Sequence, residues 1–422
     1  MSKNTIYKLP FGLCPEYVSL GVLVLRSYGV PVVSEYTPLW GKSDTGHSWY
    51  TILNNDGTSQ SSAYDISSHF GSTLFPTKDI PKIYRKTYAR NRKTEEYFLK
   101  AKYKHPSIEL FQIDVTDEYR ATSDLEIPLN KKNIYDNYVY IASFNGKSWQ
   151  PLDFGIIKDN RGLFSKMGRN ILYIALSYDG IQMHPASSPF ILHTNGDIDY
   201  LTADTSQLET IKLWRKYPRN HHVACMEERM IGGKIQGANK RDFSDSVTLF
   251  LINNLNYTDP ISFNNSSKFR YWRYLSPPEA YGNIAELTFF SKEGKAIRGT
   301  IMGTEGDLLL EIEKAFDDNW LTFYDTWTDK PPWVGMDFER PIHIDKVRCI
   351  PRSDDNKIHY GDEYELKYWS ESGWQSLGTK VADDSSISYN RVPQNALLWL
   401  SNLTRGKQER VFIYEEGKQV WW

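Results

Sequence analysis

The sequence predicts a multidomain, β-rich protein: one mixed α+β domain at the N-terminus, then all-β sandwich domains. Three observations predict it. Only one early stretch, residues 15–28, carries both a helix start and a helix stop. Beyond residue 105 the apolar residues fall into short strand-like segments separated by Gly, Asn, Asp and Pro. The chain also holds 13 Trp and 28 Tyr against seven Met, a bias towards strands.

The elements follow in order. Pro15 suits a first helical position, and Gly29 with Pro31 suits a stop. Between them Val18, Leu20, Val22, Leu23, Val24 and Leu25 make the helix apolar nearly all round, as a buried helix is. "VPVVSEY", "HSWYTIL" and "QSSAYDI" read as strands, the last two joined by an "NNDG" turn. The basic stretch 81–104 reads as the exit from this domain, 1–100. Residues 101–205 form a second domain. There "IELFQIDV" alternates, Asn145-Gly146 turns a hairpin, and "RNILYIALSYDG" is a further strand. Residues 206–422 contain an internal echo. "KLWRKYPR" (212–219) and "DKVRCIPR" (345–352) share Arg-x-x-Pro-Arg after an apolar strand, and acidic-aromatic strands follow both. The echo predicts two related sandwiches, 206–313 and 314–422.

Composition narrows the partners. Fifty basic and 52 acidic residues are well mixed, for a net charge of −2. Nothing asks for nucleic acid or an anionic membrane. No run of 18 apolar residues suggests a transmembrane helix, and "MSKNTIYKLP" does not read as a signal peptide. Cys14, Cys225 and Cys349 lie too far apart for a zinc motif or a disulfide framework.

Cys14 stands directly before Pro15, at the expected helix cap. A helix N-terminus favours a thiolate there, through its partial positive charge and unpaired amides. A nucleophilic cysteine also needs a base. His47 lies in "GHSWYTIL", and Asp65 follows one hairpin later. Antiparallel neighbours would bring His47 and Asp65 together, and a carboxylate would fix the imidazole tautomer. Each has a plainer reading. Cys14 is then a small core residue, His47 a strand histidine, and Asp65 a strand end.

Arg26, Gly29, Val30 and Pro31 at the helix end, with Gly46, His47, Ser48 and Trp49 on the strand, resemble the transglutaminase-like superfamily. That family has a papain-like core. The whole chain is similar to Bacteroidetes-type multidomain members that continue into Ig- or transthyretin-like and then discoidin, galactose-binding-like sandwiches. The resemblance implies thiol-dependent acyl transfer or amide hydrolysis on a protein, peptide or glycopeptide. Cys14 would be nucleophile, His47 general acid/base and Asp65 the orienting carboxylate. It also implies an extracytoplasmic location. The family places supporting helices upstream of its cysteine, whereas 13 residues precede Cys14, so the domain is read as either truncated or begun at a late Met1. The alternative is a catalytically inactive remnant in a carbohydrate-binding or structural surface protein.

The remaining candidates concern binding. Trp40 and Trp49 are substrate-contact candidates beside the cysteine and histidine. The segments 317–333 and 352–363 combine Trp320, Trp327 and Trp333 with Arg352, Asp354 and Asp355, the mix that stacks on sugar rings and matches hydroxyls. The plainer reading has these tryptophans plugging the end of a sandwich against its neighbour. "SDDN" (353–356) and "GDE" (361–363) could hold a structural calcium. No other cofactor is expected. "HHVAC" (221–225), read as a strand, sends its two histidines to opposite faces and makes no metal site.

Overall fold

The computed structural model describes residues 12–61, 79–219, 221–253, 260–406 and 408–422. Strands hold 44% of the described residues and helices 11%, so the β-rich expectation stands.

The N-terminal unit is a five-stranded antiparallel sheet. Its order is Ser59–Ser61, His47–Leu53, Val32–Thr37, Tyr84–Lys86 and Gln112–Asp114. The helix Cys14–Ser27 packs on one face, with Val18, Val22 and Leu25 meeting Val32, Tyr50 and Ile52. Gly21 is the contact point: a Cβ there would lie 3.1 Å from the Tyr50 ring. The helix stops at Gly29, whose φ of +76° only glycine adopts freely. The Val30 amide then returns to the Leu25 carbonyl, 3.0 Å away. Gly46 is fixed by close approach, since a Cβ would meet the Thr37 carbonyl oxygen at 2.4 Å.

Residues 81–104, expected to be a domain exit, supply a strand of this sheet and the helix Arg92–Lys100. Few apolar residues mark that helix. Its start is set by Asn91, whose side chain accepts the Thr94 amide, and its one fully buried anchor is Tyr97. Tyr97 packs on Tyr138, Tyr140 and Phe154 of the next unit. The sheet also takes a strand from "IELFQIDV", so the expected division at 100 falls inside it.

The second unit is one sheet of eight strands between Thr122 and Tyr200. Strands near its two ends share a core: Leu125 and Ile127 from one end, Phe190, Leu192 and Ile198 from the other, around Val139, Ile141 and Tyr173. The sheet therefore curls over on itself and buries one face without a second hydrogen-bonded sheet.

The last 220 residues form two sandwiches, one nested in the other. The C-terminal sandwich pairs Asp204–Leu213 with Ile387–Gln394 and faces these with five strands between Glu363 and Trp421. The inserted sandwich occupies 221–351. Its five-stranded sheet includes Phe269–Leu275 paired to Trp333–Ile342, and its four-stranded sheet includes Ile284–Phe290 paired to Lys346–Pro351. Trp272, Leu287, Phe289 and Met336 fill the space between. The expected boundary at 313/314 thus falls inside this sandwich. The two echo segments are not equivalent strands. Arg215 lies two residues beyond the strand Asp204–Leu213 and bridges to Lys357, whereas Arg348 sits mid-strand opposite Thr288.

Arg410 bolts three units together. It is 1% exposed and donates to the carbonyls of Gly41 (2.7 Å), Ser43 (2.9 Å) and Phe144 (2.6 Å). Beside it Phe144 lies edge-on to Trp374 and Trp399, and Trp149 lies edge-on to Trp369.

Candidate functional site

Two regions hold the residues singled out from sequence. In the first, Cys14 is the first residue of its helix and is exposed; the cap is Leu13, one residue before the expected position. Glu16 occupies the same helix end, its carboxylate accepting the Leu13 amide at 2.6 Å. From the Gly21–Tyr50 contact, Cys14 lies seven helical residues away and His47 three strand residues away. Both distances are about 10 Å, so the two residues sit at the same end of the unit. They occupy different faces. The helix covers the side bearing Tyr50 and Ile52, and strand alternation sends His47 and Trp49 to the other. There the His47 ring stacks between Trp40 and Trp49, at centroid distances of 6.0 and 6.2 Å. Among the described residues no hydrogen bond joins Cys14 to His47. Asp65 lies outside the described residues.

Trp40 and Trp49 are both buried, in a core with Ile80, Ile83 and Val115. They do not form an open platform. The Trp49 indole donates to the buried Glu35 carboxylate at 3.0 Å, which also takes bonds from Arg85 and Tyr119. Asp44, the other carboxylate near His47 in sequence, belongs to the junction. It lies 3.6 Å from the Arg410 guanidinium, and burial pushes its pKa up.

The second region is a cleft of about 500 Å³ between the inserted and C-terminal sandwiches. One wall is Asp318, Asn319, Trp320 and Leu321, and the other includes Asp354, Asp355 and Asn356. These are the two segments picked for composition, 317–333 and 352–363. Trp320 stacks 4.0 Å from the ring of His359, which is 2% exposed. His359 Nε2 sits 2.5 Å from Asp355 Oδ1. Lys216, buried in the cleft floor, donates to Asn356 Oδ1 (2.7 Å) and the Gln408 carbonyl (2.8 Å), and burial pushes its pKa down. Arg215 holds Asp354 through two bonds from one nitrogen, and Arg405 is held by Asp362. On the opposite wall the Asp318 amide donates to Glu286 at 2.9 Å. Burial and the Asp318 charge raise the pKa of Glu286 to about 7. The result is a fixed array of carboxylate, amide and cationic groups facing one indole.

Along the same loop lies an open rim. Trp327 is 75% exposed, with one face on Tyr281 at 4.2 Å. Its amide is held by Asp307 Oδ2 at 3.1 Å. Asp325 is 7% exposed, its Oδ1 has no hydrogen-bond partner among the described residues, and Arg352 lies 3.9 Å from its Oδ2. Arg352 in turn covers the Phe323 ring at 3.9 Å. Burial raises the pKa of Asp325 against the opposing pull of Arg352 and Arg229. Tyr281 stands in a strained loop: Glu279, Tyr281, Gly282 and Asn283 all have positive φ. Sequence reasoning missed Tyr281, Arg229 and Asp325. The Pro-Pro and Tyr-Gly-Asn residues of 277–283 are turn signals that carry no information about the loop's neighbour. Trp333 is not part of this rim. It packs inward on Phe243 at 5.1 Å.

The acidic turns proposed for calcium are engaged with basic side chains: Asp354 with Arg215, Asp355 with His359, Asp362 with Arg405. Among the described residues no three His, Cys, Asp or Glu side chains gather as a metal site. "HHVAC" is a helix, not a strand, and places Cys225 Sγ 3.5 Å from His221 Nε2 on one face. Comparison of the chain with protein-family models, with curated proteins and with solved structures returned no match.

Proposed function

We propose that this chain is a carbohydrate-binding protein whose ligand lies in the cleft between its two C-terminal sandwiches and extends onto the adjoining rim. The observation that carries the reading is the convergence of two loop segments, 318–321 and 354–356, on one cleft with an indole wall. Sugar rings present apolar C–H faces that stack on aromatic rings, and hydroxyls that pair with carboxylates, amides and guanidinium groups. Loops held rigidly at the end of a sandwich are a common place for such sites. The orphaned acceptor on Asp325 and the open face of Trp327 extend the same chemistry outward. A glycan array probed with the full chain tests the reading, followed by calorimetry on the best ligand. Binding that falls at least about tenfold in Trp320→Ala supports it. Binding that Trp320→Ala and Trp327→Ala both leave intact places the ligand elsewhere.

A second reading keeps the transglutaminase-like chemistry, with Cys14 as nucleophile, His47 as acid/base and Asp65 as its orienting group. The exposure of Cys14 at a helix start favours it. For the pair to act, His47 has to reach the helix side of its sheet. Turnover of a glutamine-donor or peptide amide that is lost in Cys14→Ser would establish it.

A further inference from the structure

Where the eight-stranded sheet meets the C-terminal sandwich, another cavity of about 500 Å³ opens, a size suited to a small molecule. Its floor is apolar: Ile191 and Leu201 come from one unit, Val392, Leu398 and Ile413 from the other, all buried. Its remaining wall is acidic. Asp199, Glu209 and Glu415 line it, and none of the lining residues is lysine or arginine.

The three carboxylates are not equivalent. Asp199 is engaged by His193, with Nε2 and Oδ2 2.7 Å apart. Glu209 and Glu415 have no ion-pair partner among the described residues. Trp422 completes the lining. It is 7% exposed, and its indole N–H has no acceptor among the described residues. Lys42 lies over the indole ring at 4.2 Å but is paired with Asp79 at 3.5 Å.

Each feature asks something of an occupant. Two unpaired carboxylates, the half-buried Glu209 and the exposed Glu415, set a negative field at the cavity, and the one beside the apolar floor attracts positive charge more strongly than it would in open water. The floor gains from any apolar surface it removes from water. We infer that this cavity binds a small organic cation: an amine with an apolar body. None of its lining residues belongs to the cleft or the rim, so it is a site separate from the one proposed for carbohydrate.

The test is calorimetry on the full chain with three matched probes: tyramine, its neutral alcohol analogue tyrosol, and the anion 4-hydroxyphenylacetate. Tyramine is expected to bind at least about tenfold tighter than tyrosol, and the anion more weakly than either. The double variant Glu209→Gln, Glu415→Gln keeps size and shape. It should bring tyramine to within about twofold of tyrosol. Equal binding of the three probes overturns the inference. So does a tyramine preference that survives the double variant, or no tyramine binding up to about 10 mM.

Discussion

The helix–hairpin at residues 14–61 and the loops at 318–327 and 352–356 were both marked by sequence, and they fared differently. In the hairpin the choice depended on side-chain direction. One residue of alternation separates a histidine facing the helix from one facing away, and Tyr50 rather than Trp49 meets the helix. In the loops the choice depended only on composition and on loops gathering at the end of a sandwich. That requirement tolerates errors in domain boundaries. The two segments line one cleft although only 352–363 lies on the sandwich expected for both. A site argued from a cluster of loops is thus more robust to topology than one argued from a face of a strand.

The largest expected effect tests whether both regions belong to one body. Arg410 is buried and bonds to carbonyls of the N-terminal unit and of the eight-stranded sheet. Replacing it by Met leaves those acceptors unmet and strips Asp44 of its cation. Arg410→Met should cost about 3–5 kcal/mol in denaturant unfolding. A loss under about 1 kcal/mol would mean that the units are held by the aromatic layer alone.

Next comes the cleft against the rim. Trp320→Ala removes a stacked wall and should weaken glycan binding by at least about tenfold, or 1.4 kcal/mol. Trp327→Ala should weaken it less, about threefold, and barely move stability because the side chain is mostly exposed. If Trp327 proves the stronger determinant, the rim is the primary site and the cleft its extension.

Acidity sharpens the cleft further. Glu286 has its folded pKa at about 7, above its ordinary value of 4.5. Between those values the folded chain binds more protons than the unfolded one. The contribution of Glu286 to stability is therefore fully present below about pH 4.5 and declines as pH rises through about 7. Glu286→Gln should flatten the stability profile over that window in urea titrations. An unchanged profile would assign the slope to another group.

The legibility of the sequence follows the same division. The first helix, the strand His47–Leu53 and the hairpin at Asn145-Gly146 were readable because periodicity, Pro15, Gly29 and the Asn-Gly turn act locally. The helix Arg92–Lys100 was not, since its packed stripe is short (Thr94, Tyr97, Phe98 and Ala101) within a basic segment and its stability comes from packing on the next sheet. The nesting of one sandwich in the other was equally hidden. The pairing of Asp204–Leu213 with Ile387–Gln394 joins residues about 180 apart, and no local signal encodes that. Trp320 and Trp327 looked alike in sequence, yet one is stacked against the neighbouring sandwich and the other is open.

The smallest expected effect bears on the hairpin. Cys349 is buried in the inserted sandwich and burial pushes its thiol pKa far up, so it should not label in the native state. In a Cys225→Ser background, Cys14 then becomes the thiol that a maleimide or disulfide probe reads. The His47 ring is fixed between two tryptophans on the far side of the sheet. His47→Gln should therefore change the labelling rate of Cys14 by less than about twofold across pH 6–9, because an imidazole that cannot reach the sulfur cannot take its proton. A tenfold slowing with a displaced pH profile would mean that the histidine reaches the helix face in solution. In that case the contrast between the two regions closes, and the N-terminal unit regains its claim to chemistry.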